Sequence, residues 1–253
     1  MARAERRISA LWLHPQVDIL SWLRPARTVP VTRWCSSSRW RARPVTLSIL
    51  ALGLYLFGTG DAMLVQSGLG VSPWTVLAQG LAARLGVSIG LATFIVSVAV
   101  LLAWIPLRER PGLGTISNAV IIAVALQVGV TFLPSPTNMF IQFAFVIGGI
   151  LIIGLGSGLY LTTRMGPGPR DGWMTGIHLR TGWPVSAVRL GIEVVVLAAG
   201  WLLGGTVGVG TVMFAILIGP SVGYGLMAAG AVGGDPNAES PVEQDSDFPE
   251  LDA

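Results

Sequence analysis

Long apolar runs alternate with short breaks along most of this chain. Few polar side chains, Ser48, Thr59 and Asp61 among them, interrupt the run from Val45 to about Gln66. Similar runs follow at Val87 to Leu107, Leu113 to Leu133, Met139 to Leu161, Val185 to Leu203 and Val209 to Ala229. Each approaches the ~20 residues that cross a ~30 Å hydrocarbon core at 1.5 Å per residue. Two shorter pieces break the series. After Ser72-Pro73, which suits a helix N-cap followed by proline at the first helical position, Trp74, Leu77, Ala78, Leu81 and Leu85 recur at helical spacing. A matching piece follows Pro169. At about twelve residues each is too short to span. The pattern predicts an all-α polytopic membrane protein with about six transmembrane helices and two short extra helices, each after a Gly/Pro loop. Counting the short helices as spans gives eight instead.

The pattern also repeats. Sliding the sequence on itself by ninety-six residues pairs Gly53 with Gly149, Gly58 with Gly154, Gly60 with Gly156, Gly70 with Gly166 and Pro73 with Pro169. The register continues through Gly80/Gly176, Arg84/Arg180, Gly86/Gly182, Gly112/Gly208, Gly114/Gly210 and Thr115/Thr211. Shared apolar composition alone does not hold a gapless register this far, so the chain is read as a duplication. The copies are 45–133 and 139–230. Three spans is an odd number, so the copies are expected to enter the membrane from opposite sides as an inverted-topology repeat.

Composition agrees: 52% of residues are hydrophobic and 11% charged, and the excess lies in runs of spanning length. The net charge of +3 hides two opposite tails. Residues 1–44 form an Arg/Trp-rich arm with nine arginines against Glu5 and Asp18, whereas 231–253 hold seven acids and no base and read as a disordered tail. Trp12, Trp22, Trp34 and Trp40 among those arginines suit the headgroup region of an anionic leaflet, and a disordered flank is the alternative. Arg108, Arg110, Arg164, Arg170 and Arg180 fall on the same side as the basic arm, while the loops at 67–72, 134–138 and 204–208 carry no charge. The positive-inside rule then places both termini in the cytoplasm, with Arg84 the exception. The lone Cys35 cannot form an intramolecular disulfide.

Candidate chemistry sits on the few polar residues inside or beside the spans. A bare carboxylate at the depth of Asp61 or Glu193 costs several kcal/mol, so each should face the bundle interior, hold a proton or find a partner. Arg189 lies one turn before Glu193, at the spacing of an i,i+4 pair, which either locks packing or gates. Gly168-Pro169-Arg170-Asp171 opens the second short helix. It either stops one helix and starts the next, or aims N-terminal amides at a ligand as Thr75 and its neighbours would from the other copy. His178 falls on the polar face of that helix with Asp171 and Thr175. The candidate substrate-binding set is Asp61, Thr75, Gly168, Arg170, Asp171, His178, Arg189 and Glu193. Gly154/Gly158, Gly200/Gly204 and Gly219/Gly223 read as small-xxx-small packing pairs. With no HExxH, P-loop or CxxC, and only His14 and His178, the sequence points away from an enzyme, a metal site or a cofactor. No nucleic-acid recognition module is present.

The second copy, with Gly166-Pro167-Gly168-Pro169-Arg170-Asp171-Gly172, Arg180-Thr181-Gly182, Arg189, Glu193 and the run from Gly200 to Thr211, resembles the YczE-like bacterial membrane proteins, relatives of the broader YitT-type group. The resemblance covers roughly residues 45 to 230 and implies a multi-pass inner-membrane protein without an assigned reaction. In the first copy the family's Gly-Pro-Trp-Asp pattern reads Ser72-Pro73-Trp74-Thr75, and a common histidine position is Ala78. The expected function is transporter-like, a small-solute permease or exporter between the repeats. A membrane scaffold or regulatory partner of another complex is the alternative. The expected partners are the lipid bilayer, an unidentified small molecule, and either another membrane protein or further copies of the chain.

Overall fold

The computed structural model describes residues 28–107 and 109–234, the Val185 side chain excepted. The readings placed on 1–27, Arg108 and 235–253 fall outside the described residues. Nine helices follow one another within them: α1 (Pro44–Ser67), α2 (Pro73–Leu85), α3 (Ile89–Leu102), α4 (Trp104–Leu107), α5 (Leu113–Phe132), α6 (Met139–Leu161), α7 (Pro169–Thr181), α8 (Val185–Leu202) and α9 (Val209–Gly233). Among the described residues β-structure is limited to one bridge between Thr32 and Gly234. Helices α1, α5, α6, α9 and the joined α3–α4 are long and apolar enough to cross a membrane. The sixth expected span, α8, has 18 residues and carries Arg189 and Glu193. Exposed side chains such as Phe132, Phe140, Val195 and Ile216 are apolar, as a surface facing lipid must be.

The short helices have the expected limits. Helix α2 starts with Pro73 at its first position and ends at Gly86 with φ 66°. Helix α7, ninety-six residues on, starts with Pro169 and ends at Gly182 with φ 70°. Both glycines supply the left-handed cap that a side chain disfavours. Periodicity placed one face of α2 against the protein. In the structure Pro73, Trp74, Thr75, Val76, Ala78 and Gly80 are buried while Leu85 is exposed. The first half of α2 is therefore enclosed on all sides, and the preceding Gly70, Val71 and Ser72 are buried as well.

Contacts between the copies are reciprocal. A Cβ at Gly53 would lie 2.8 Å from the Gly156 carbonyl oxygen, and one at Gly149, the equivalent position, would lie 2.8 Å from that of Gly60. Rising residue numbers on α1 meet falling numbers on α6, so these helices cross antiparallel at near backbone contact. Gly114 N–H donates to Met165 O at 2.9 Å and its equivalent Gly210 N–H donates to Leu69 O at 2.8 Å. Gly112 N–H donates to Thr115 Oγ1 at 3.1 Å, and Gly208 N–H to Thr211 Oγ1 at 3.3 Å. Helix α5 packs on α1 as α9 packs on α6, and α2 packs on α8 as α7 packs on α3 and α4. The correspondence is partial, because α3 packs on α5 in the first copy without a comparable α8–α9 contact in the second. Of the glycine pairs singled out, Gly154 and Gly158 sit against Ser221 and Gly225 of α9, and Gly200 against Leu77 of α2. A Cβ at Gly204 or Gly219 would meet open space, so those two are not packing positions.

The described end of the arm is docked rather than spread over a headgroup layer. Trp34 is buried against Gly233 and its Nε1–H donates to Thr162 Oγ1 at 3.0 Å, while Thr46 Oγ1 donates to Trp34 O at 2.9 Å. Trp40 is exposed, as an interfacial tryptophan would be.

Candidate functional site

Antiparallel α1 and α6 put their C-terminal ends at opposite ends of the bundle, yet the helices that follow them meet at their N-termini. The Arg170 guanidinium carbon lies 5.1 Å from the centroid of the Trp74 ring, and Trp74 makes an edge contact with Trp173 at 6.3 Å between centroids. Arg170 and Trp74 occupy equivalent positions of the two copies, so the meeting point lies where the copies exchange. Each connecting loop runs back through buried positions to reach it: Gly70 to Ser72 on one side, Met165 and Gly168 on the other. The second loop is pinned by Thr115 Oγ1–H donating to Pro167 O at 2.7 Å and Trp104 Nε1–H donating to Pro169 O at 2.9 Å.

A cavity of about 290 Å³ opens there, lined by Ser72, Pro73 and Trp74 from one copy and Gly168, Pro169, Arg170 and Asp171 from the other. Its remaining wall is mostly apolar, with Phe57, Ile122, Phe214, Ile218 and Val222. Arg189 and Glu193 reach its rim, joined by an Nε–H donating to Oε1 at 3.0 Å. Their side chains are 51% and 31% exposed, so Glu193 is not sealed in the bundle. The Tyr160 hydroxyl donates to Asp171 Oδ2 at 3.2 Å. Burial raises the Asp171 carboxyl above its ordinary range, and Tyr160, Arg170 and Arg189 oppose that shift.

Asp61 lies behind this wall. It is 1% exposed and neither carboxylate oxygen has a hydrogen-bond partner. Ser72, Thr75 and Arg170 are its polar neighbours; the Ser72 and Thr75 hydroxyls lie 2.8 Å apart, and the one hydrogen bond between them leaves a second O–H able to turn toward Asp61.

Of the eight candidate residues, five therefore line one cavity: Gly168, Arg170, Asp171, Arg189 and Glu193. Asp61 and Thr75 form a layer beneath it. His178 is elsewhere, at the exposed end of α7 with Nδ1 2.6 Å from Trp183 O. Sequence reasoning missed Tyr160 and Asn118, which line the cavity from α6 and α5. A lone phenol or amide near the end of an apolar run carries no spacing signal. Ser157, the counterpart of Asp61 in the second copy, also faces the cavity. Among the described residues no three His, Cys, Asp or Glu side chains gather as metal ligands would. The arrangement can enclose a small, partly apolar solute and present it with charge.

A family of unknown function, DUF6198, matches residues 45–225. The chain is 45% identical over 201 residues to an uncharacterized protein of Haemophilus influenzae, covering 79% of this chain and 92% of that protein. It is 36% identical over 186 residues to the uncharacterized membrane protein YczE of Bacillus subtilis, covering 72% and 82% respectively. It is 26% identical over 175 residues to the uncharacterized protein YyaS of the same organism, covering 66% and 86%. No solved structure matches the chain.

Proposed function

The chain belongs to the YczE-like membrane proteins of the DUF6198 family, and on that premise we propose that it moves a small solute across the membrane along a path between its two halves. The observation that carries this reading is the cavity where the first turns of α2 and α7 meet. Transporters built from inverted repeats place their sites at the repeat interface, where broken helices point their N-termini at the solute. Here α1 with α2, α3 and α5 is one repeat, and α6 with α7, α8 and α9 the other, with α8 as the sixth span and each short helix dipping in from its own face. Gating is a rocking of one half on the other about the glycine crossing of α1 and α6. No chemical step is involved.

The scaffold reading has one observation in its favour, the dry glycine-packed seam of α1, α6 and α9. Cysteine accessibility separates the two. In a Cys35→Ser background, Asn118→Cys and Met174→Cys on the cavity wall should react with a charged, membrane-impermeant thiol reagent, while Ile150→Cys in the core should not. Silence at both cavity positions would leave the scaffold. An uptake screen in proteoliposomes would then identify the solute.

Orientation follows from the arginines: both termini in the cytoplasm of an inner membrane, and the loop at 134–138 outside. A reporter active only outside should work when fused at 135 and fail when fused at 110. The opposite pattern would sink the six-span arrangement.

A further inference from the structure

Four charged groups face the solute cavity from the second copy's short helix and α8, and they are not equally occupied. Glu193 is held by Arg189, and Asp171 accepts from Tyr160. Arg170 lines the cavity stacked on Trp74, and no hydrogen bond or ion pair among the described residues uses its guanidinium. A guanidinium with unspent donors on a largely apolar cavity is a fork for a carboxylate, which it binds through two parallel bonds. A cationic solute would sit against that same charge.

Asp61 is the second, independent feature. It is a sealed carboxylate whose oxygens accept no hydrogen bond in this structure, with the Ser72 and Thr75 hydroxyls beside it and Arg170 within electrostatic reach. A carboxylate in a dry site cannot stay both bare and unpaired. Among the described residues, Arg170 is the charged counterpart that acts on it while it is ionised. A metal cation in its place would need several oxygen ligands and would face Arg170. A proton needs neither.

We propose that this site takes a small organic anion with one carboxylate head and an apolar body, bound by Arg170, and that one proton enters with it to neutralise Asp61. The balance is one negative charge gained at Arg170 and one removed at Asp61, so the charge of the cluster formed with Asp171, Arg189 and Glu193 does not change. A phosphate monoester, carrying nearer two charges, would break that balance. The inference rests on the solute-pathway reading and assigns that pathway its substrate class and coupling ion.

The test uses the full chain in lipid nanodiscs and two probe series, straight-chain carboxylates from acetate to octanoate with benzoate, and alkylammonium ions of matching length. The readout is thermal stabilisation, which follows binding to the folded state. Carboxylates should stabilise the protein saturably and ammonium ions should not. Over about pH 6 to 9, where the probes stay ionised, affinity should rise toward low pH by up to about tenfold per unit. Asp61→Asn should bind at all pH values with a flat profile, and Asp171→Asn should keep the slope. Arg170→Gln should weaken binding roughly ten- to a hundredfold. Stabilisation by ammonium ions alone, or by neither series, overturns the proposal. So does a pH slope that survives Asp61→Asn, or a requirement for sodium. The charge-sign comparison needs only the unaltered protein, so a misfolded variant cannot rescue the idea. Carboxylate binding without thiol access to Asn118→Cys would keep the site and sink the pathway, whereas uptake of some other solute without carboxylate binding would do the reverse.

Discussion

Gly60→Leu should abolish accumulation of folded protein in the membrane, and Gly156→Leu, ninety-six residues away, should do the same to the same degree. A Cβ at Gly60 would stand 2.6 Å from the Gly149 carbonyl oxygen and 2.7 Å from Ile153 Cγ1. One at Gly156 would stand 2.5 Å from the Gly53 carbonyl oxygen and 2.8 Å from the Phe57 amide nitrogen. Backbone atoms cannot rotate out of the way as a side chain can, so the helices must part. Overpacking a well-filled core costs typically 1–3 kcal/mol, and separating two helices along their crossing belongs at or above the top of that range. Gly219→Leu is the control, since nothing lies within 4 Å of its Cβ position, and it should accumulate normally. Yield of monodisperse protein in mild detergent, with its melting temperature, reads the difference. If Gly60→Leu behaves like Gly219→Leu, the antiparallel crossing is wrong. If Gly60 and Gly156 differ widely, the reciprocity of the halves is.

The two halves share a backbone plan but not its chemistry. Equivalent positions hold Trp74 and Arg170, Thr75 and Asp171, and Asp61 and Ser157. The first copy thus contributes a sealed carboxylate and an aromatic face, and the second the charge that lines the cavity. A cavity on the line where the copies exchange draws one residue of each kind to the same place. Duplication can thereby build an asymmetric site from a symmetric frame.

The helices were readable because the length of an apolar run survives in one dimension. Apolar runs predict spans whatever packs on them, and a ninety-six-residue offset needs no knowledge of contacts. Burial direction was less readable. Leu85 shares a helical face with Trp74 and yet is exposed, while Val76, off that face, is buried. Spacing reports one face of a helix, but α2 plunges N-terminus first and is enclosed at one end. Gly204 and Gly219 matched a spacing rule without a neighbour to pack on. For the site, charged residues in an apolar setting were easy to single out. Nothing in their spacing could say that Arg170 meets Trp74, that Tyr160 holds Asp171 or that His178 points away, because each depends on how the copies close on one another.

Trp104→Ala should be the most damaging single truncation outside the glycine seam, and its effect should be partly reversible by a second substitution. Trp104 opens α4, is 2% exposed, and packs with Trp74, Val96, Val100 and Val196. Its ring lies on Gly172, and its Nε1–H donates to Pro169 O at 2.9 Å. One side chain therefore both fills the core beside α7 and holds the first turn that carries Arg170. Truncating a buried tryptophan costs about 3–5 kcal/mol, and here the loss should also free α7 to shift, lowering solute binding beyond what stability alone explains. Trp104→Phe keeps most of the volume but leaves the Pro169 carbonyl without its donor, so a smaller cost of about 1–3 kcal/mol is expected. Gly172→Leu alone should fail, because its side chain would enter the space of the indole ring. Combined with Trp104→Ala, the leucine has room, and the double variant should melt above either single one. Melting temperatures of the four proteins close the cycle. Simple additivity of the two losses would mean that Trp104 and Gly172 do not share the space, and that α7 is positioned by something other than this ring.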